Sequence, residues 1–192
     1  MARKCNFDRQ EKLQLAMELF WSKGYANTSV ADLVEKLNIN RFSLYNSFTD
    51  KQSLYYEALD HYLQTVSLPG LVQLSDQSAS LPDIIRFLTE FAARQHQSSC
   101  GCFMQNALVE HAGQDESVLQ KGDRLFDTLQ ELLLNALQKG QQCGEITSLI
   151  PAEQLSALII SQMQGFRVLS KAHRENEISA ALDALVKILQ TN

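Results

Sequence analysis

Residues 28–48 hold two short helical patterns parted by only three residues, and this spacing restricts the fold more than any other feature of the chain. Thr28 and Ser29 cap the first helix, and Ser29 with Asp32 three positions on is a capping-box variant. Val30, Leu33, Val34 and Leu37 form its buried stripe. Asn38-Ile39-Asn40 follows as a turn, where Asn tolerates a positive φ. A second helix of about eight residues, 41–48, turns Leu44 and Phe48 inward. This is helix-turn-helix geometry, whose second helix fits a major groove about 12 Å wide.

The flanking sequence is helical as well. Leu13, Ala16, Met17, Phe20 and Trp21 mark one face of a helix over about 7–23, which Gly24 ends. Asp50 caps another, with Leu54, Ala58, Leu59, Tyr62, Leu63 and Val66 on its stripe. Pro69-Gly70 and the polar run Ser75 to Ser80 break the pattern. Beyond them, helices are expected to end near 97, to run over about 102–111, and to continue in a long segment that stops before Gly140. The last two cover about 152–173 and 177–189. No segment alternates as a strand does. The expected fold class is all-α with about nine helices: a three-helix helix-turn-helix domain and a larger helical ligand-binding and dimerisation domain. The boundaries follow as 1–50 for the first domain, 51–67 for a linking helix and 68–192 for the second.

Composition excludes several classes. With 3 Pro and 8 Gly in 192 residues, the chain is neither collagen-like nor loop-built. No run approaches the ~20 apolar residues of a membrane span, and no apolar stretch follows the basic N-terminus as a secretory signal requires. The cysteines at 5, 100, 102 and 143 are too few and too scattered for a disulfide framework. A cytoplasmic protein without membrane association is the expectation. The net charge of −5 is unevenly placed: residues 1–51 carry eight basic and six acidic side chains, and the remainder nine and sixteen. A slightly basic contact module on an acidic body fits that split.

The exposed face of the second helix suits a groove. Arg41 and Ser43 reach toward base edges or phosphates, and Tyr45 and Asn46 supply hydrogen bonds. Thr28 and Lys51 stand at helix starts, where amides and the positive dipole end favour phosphate. A plain helical hairpin with solvated Arg, Tyr and Asn has the same spacing.

Three stretches decide between these readings: Leu19-Phe20-Trp21-Ser22-Lys23-Gly24-Tyr25, then Thr28-Ser29-Val30-Ala31-Asp32-Leu33, then Leu44-Tyr45-Asn46-Ser47-Phe48-Thr49-Asp50-Lys51-Gln52-Ser53-Leu54. In order and spacing they closely resemble the N-terminal domain of TetR-family regulators, over nearly all of residues 7–60. Phe7-Asp8 and the Phe-Trp pair are similar to an AcuR/ComR-like subgroup. The resemblance implies a homodimeric repressor, not an enzyme, that binds a palindromic double-stranded DNA operator and leaves it on binding a small-molecule effector of unknown identity. No cofactor is implied. By position, Arg41, Phe42 and Ser43 become contacts to bases or backbone, and Tyr45, Asn46, Thr28 and Lys51 contacts to phosphate. Phe42 either meets a thymine methyl or packs on the neighbouring helix. Asn38 stands where the family often has Gly, and the N-terminal arm lacks the subgroup's Gly-Arg-Pro-Arg, with Arg3 and Lys4 as partial replacements.

In the second half, Leu155, Leu158, Ile159, Met163 and Phe166 on one helix and Ile178, Ala181, Leu182, Leu185, Val186 and Leu189 on the next suit a four-helix dimer interface, or ordinary core. Cys100-Gly101-Cys102 resembles a Gly-Cys element of the subgroup, some of whose members sense electrophiles. A thiol at a helix start favours thiolate, which makes Cys102 the sensor candidate against a small buried residue. His96, Cys100 and Cys102 have a ligand-like spacing, with His111 or Cys143 as a distant fourth, but no metal site is assigned. The expected ligand lining is Phe87, Phe91, Cys102, Met104, Gln105, Phe126, Met163 and Phe166, with Asn106 and His111 as further polar partners. The alternatives are a thiol- or metal-responsive sensor through Cys102 and Cys100, and a helical interaction protein without DNA binding. An enzyme with a Cys102 nucleophile lacks any motif tying a base to it.

Overall fold

The computed structural model describes residues 7–97, 100–111 and 113–190. Among the described residues it has nine α-helices and no strand, only an isolated bridge between Ile146 and Gln190. The helices are α1 (Arg9–Lys23), α2 (Val30–Leu37), α3 (Arg41–Phe48), α4 (Lys51–Tyr62), α5 (Leu81–Gln97), α6 (Phe103–His111), α7 (Glu116–Gln142), α8 (Ala152–Lys171) and α9 (Glu175–Leu189). Helix α4 runs on as a π turn over Leu63–Ser67, and a 3-10 segment spans Pro69–Leu74.

Contacts divide the chain into two compact units. The first takes the described part of Met1–Ser67 together with Cys102–Asp123, and the second Leu68–Gly101 with Arg124–Asn192. The expected division kept everything after residue 67 together, whereas here α6 and the start of α7 group with the head. The reason is aromatic. Phe103 of α6 meets the rings of Tyr55 and Tyr62 edge-on, with centroids 5.6 and 5.7 Å away. Polar links repeat the join: the Tyr56 hydroxyl donates to Asp115 at 2.7 Å, and Lys121 pairs with Asp60 at 2.6 Å. Gly122 lets α7 lie against α6, since a Cβ there would stand 2.9 Å from a Leu108 methyl.

Within that unit α1 packs along α4. Leu13, Ala16, Met17 and Phe20 face Leu54, Tyr55, Ala58, Leu59 and Tyr62, all buried. His61 joins the same helices, its two ring nitrogens within 3.2 and 2.8 Å of the Gln10 and Gln14 side chains.

The second unit is a core of Ile84, Phe87, Leu88, Phe91, Leu133, Leu137, Leu155, Ile159, Phe166, Ile178, Leu185 and Leu189, drawn from α5, the later part of α7, α8 and α9. Helix α7 does not stop before Gly140 but continues to Gln142. Gly140 is internal because the Ile146 side chain occupies the space a Cβ would need. Gln141 then donates to the Thr147 and Ile150 carbonyls at 2.8 Å each, fixing the loop that follows.

Candidate nucleic-acid interface

The turn ahead of α2 is built by side chains that satisfy backbone. Gly24 ends α1 at φ 80° and ψ 168°, a region open essentially to Gly alone, and its amide donates to Phe20. Thr28 is fully buried, and its hydroxyl donates to the Gly24 carbonyl at 2.6 Å. The Thr28 amide in turn donates to the Tyr25 carbonyl at 3.3 Å. The capping box is complete: Asp32's amide donates to the Ser29 hydroxyl at 3.1 Å, and Ser29's amide to the Asp32 carboxylate at 2.7 Å. Those bonds from Ser29, aided by Lys23 at 3.0 Å, hold the Asp32 carboxyl down at about 2.

Leu33 and Leu37 are fully buried, each worth about 1.5–3 kcal/mol of apolar burial. Asn38 takes the left-handed conformation, φ 51° and ψ 48°, which Asn adopts more readily than most other non-Gly residues. Asn40 caps α3 by accepting from the Ser43 amide at 2.8 Å. Leu44 and Phe48 go inward and orient the rest.

The opposite face of α3 meets solvent. Arg41 and Asn46 are exposed, Phe42 is 72% exposed, Tyr45 is 37% exposed, and Ser43 is half-buried. Phe42 does not pack on a neighbouring helix. The Arg41 guanidinium lies 5.7 Å from the Tyr45 ring centre and 3.4 Å from its hydroxyl, so the two side chains stand together. Lys51, the first residue of α4, sets its ammonium 4.1 Å over the Tyr25 ring. Desolvation lowers its pKa, with Glu110 and Asp32 pulling the other way. Arg9 braces the unit from behind: its guanidinium lies 4.5 Å from the Phe48 ring centre and holds Glu57 with two contacts of 2.6 and 2.8 Å.

Helix α6 reaches the same turn. The Glu110 carboxylate accepts from the Tyr25 and Ala26 amides at 2.9 and 2.7 Å. The role of Glu110 is not legible in the sequence, because a bond across more than eighty residues has no spacing signature.

The expected ligand lining divides between the units. Phe87, Phe91, Met163 and Phe166 lie together in the core of the second, where Phe126 is half-buried. Cys102 and Met104 are buried and Gln105 half-buried in the first. Cys102 directly precedes α6, and its sulfur accepts from the Gln105 amide at 3.5 Å. It is 3% exposed. Among the described residues no three His, Cys, Asp or Glu side chains gather as a metal would require. The His96 side chain, Arg3 and Lys4 lie outside the described residues. Arg167 of α8 is half-buried, its guanidinium 5.2 Å from the Phe91 ring centre and donating to Gln164 Oε1 at 2.8 Å.

A short, capped second helix with its polar face free, held from below by buried Leu44 and Phe48, has the build of a helix-turn-helix DNA-binding protein of all-α fold. Residues 13–58 match the family of bacterial regulatory proteins of the tetR type, and residues 80–185 match the tetracyclin repressor-like C-terminal domain. The chain belongs to the TetR family of transcriptional regulators. It is similar to the transcriptional repressor ComR of Escherichia coli K12, 29% identical over 96% of this chain and 87% of that one. It is similar to a cysteine mutant of the TetR-family regulator CifR complexed with 26-bp operator DNA, at 25% identity and a TM-score of 0.81 over 98% of this chain and all of that one. A TetR regulator from Chloroflexus aurantiacus shares the fold, with a TM-score of 0.82 at 24% identity over 93% and 92% of the two chains.

Proposed function

We propose that the protein is a cytoplasmic homodimeric repressor that binds a palindromic operator through α3 of two heads and leaves it when a ligand occupies the C-terminal half. The observation that carries this reading is the α3 face, where Arg41, Phe42, Tyr45 and Asn46 are exposed while Leu44 and Phe48 anchor the helix from below. Arg41, Phe42 and Ser43 take bases or adjoining backbone, and Tyr45, Asn46 and Lys51 take phosphates. ComR's description as a repressor and CifR's complex with operator DNA support the same assignment.

Dimerisation through α8 and α9 is supported by Leu158, Val168 and Ile188, apolar side chains left exposed on those helices. Release is supported by α6, which carries Cys102 just before its start and Glu110 near its end. A displacement of α6 acts on the turn before α2 through two hydrogen bonds.

Fluorescence anisotropy with the DNA upstream of the protein's own gene, across a salt series, tests DNA binding. Counterion release predicts a steep fall of log K with log salt. A salt-independent interaction, or no binding to any DNA, would instead favour a protein-interaction role for the head.

The position of Cys102 at the start of α6 favours thiol sensing as a second reading. N-ethylmaleimide should then release DNA from the wild type and not from Cys102→Ser. The 3% exposure of Cys102 requires α6 to open first.

A further inference from the structure

At 72%, Phe42 is the most exposed Phe, Tyr or Trp side chain among the described residues. Its place follows from the local build of α3. The Asn40 cap makes Arg41 the first residue of the helix and Phe42 the second, so the ring stands in the first turn. Buried Leu44 and Phe48, one turn apart, fix which side of the helix faces inward. At about 100° per residue, Phe42 lies about 160° round the axis from Leu44 and about 120° from Phe48. The ring therefore projects away from the core of the head. Of the exposed side chains of α3, Arg41, Phe42, Tyr45 and Asn46, Phe42 alone has no hydrogen-bonding group. Arg41 and Tyr45 are engaged with each other, 3.4 Å apart at their polar ends.

An outward Phe on such a face has a narrow choice of partners in DNA. It cannot donate to or accept from a base edge, and it cannot replace the water around a charged phosphate oxygen. The N-terminal residues of a helix seated in the major groove meet the base edges of its floor. That floor presents nitrogen and oxygen donors and acceptors together with one apolar group, the C5-methyl of thymine. Laying the ring over that methyl takes apolar surface of both partners out of water. The deoxyribose rim is the other apolar surface in reach, but it lies to the sides of a seated helix and not opposite its anchor.

We infer that Phe42 is a specificity-determining residue that reads the C5-methyl of a thymine, so that the site under each α3 holds one thymine selected by its methyl and not by its hydrogen-bonding edge. This rests on the seating of α3 in an operator proposed above, and it adds the base that one side chain selects.

Selection of duplexes from a randomised pool by the full-length protein, followed by anisotropy on the enriched sequence, tests the assignment. Deoxyuridine replaces each thymine of that sequence in turn, which keeps the pairing and the hydrogen-bonding edge and removes only the methyl. At one thymine of each half-site the wild type should lose about fourfold in affinity, the worth of one buried carbon. Phe42→Ala should bind the thymine duplex more weakly than the wild type does and should not distinguish it from the uracil duplex. Phe42→Leu, smaller but apolar, should keep part of the discrimination, and it is read in place of Phe42→Ala where the latter binds too weakly to compare. Circular dichroism should show the fold unchanged in both variants, since the ring is exposed.

Indifference of the wild type to uracil at every position, or an enriched sequence that requires no thymine, would overturn the assignment. So would a uracil penalty as large in the variants as in the wild type, which gives the methyl to another side chain. A loss in Phe42→Ala that is equal on both duplexes, with no uracil penalty in the wild type, would put the ring on the sugar rim instead. Each of these results leaves the DNA-binding reading standing, whereas failure to enrich any duplex sinks that reading and the assignment together.

Discussion

Glu110 and Tyr25, eighty-five residues apart, are joined by a 2.9 Å hydrogen bond from the Tyr25 amide to the Glu110 carboxylate, and the adjacent Ala26 amide binds the other oxygen at 2.7 Å. One side chain thereby satisfies two donors of a turn that has left α1 and not yet entered α2. Glu110→Ala should cost the head about 1 kcal/mol, discounted from the charged-bond range because the site is exposed. Glu110→Gln, which keeps one acceptor, should cost less. Thermal unfolding of the three proteins checks the ranking, and identical midpoints would show that water replaces the carboxylate without loss.

Gly24 sits beneath that carboxylate. A Cβ there would stand 3.1 Å from a Glu110 oxygen, at φ 80°, where L side chains are strained. Gly24→Ala should destabilise by about 1–3 kcal/mol. Denaturant unfolding measures it. In a Glu110→Ala background the loss should shrink by the steric share alone, since the backbone strain stays.

On DNA, Lys51→Ala should weaken binding for all sequences alike and reduce the salt slope by about 1. Arg41→Ala should also relax preference at particular base pairs, with about 1–3 kcal/mol of discrimination at stake. Tyr45→Phe should weaken binding while leaving the fold intact. Anisotropy on operator and scrambled duplexes separates these behaviours, and normal binding by all three variants would remove α3 from the interface.

Much of the head can be read in the sequence because its rules are local. Caps at Ser29 and Asp50, the stripe through Leu33 and Leu37, and the positive φ of Asn38 each involve residues within four positions. The solvent exposure of Phe42 cannot be read so, because periodicity leaves an aromatic beside a buried stripe undecided. Nor can the attachment of α6 to the head, which rests on Phe103 meeting Tyr55 and Tyr62 across some forty residues.

Acid should loosen the head. Asp32, held at about 2 by Ser29, contributes stability that is complete above its ordinary carboxylate value near 3.8 and is lost as pH falls toward 2. Asp50, lowered by the Ser53 amide, acts in the same direction. Stability measured from pH 5 to 2 should fall most steeply below 4, and Asp32→Asn should flatten that part of the curve.

Leu158→Glu with Ile188→Glu should shift the protein from dimer to monomer in light scattering, since both side chains are exposed on the helices assigned to the interface. A dimer that survives both charges would move the contact to another face.

The head is assembled from two separate stretches of chain, with residues 68–101 passing through the other unit between them. Recombination at one junction therefore cannot transplant it. A chimera joined after Ser67 would pair the Tyr55 and Tyr62 rings with a foreign α6 and leave the Tyr25 and Ala26 amides facing whatever residue stands in place of Glu110. Exchanging DNA specificity between such regulators calls either for substitutions confined to the α3 surface or for moving both stretches at once.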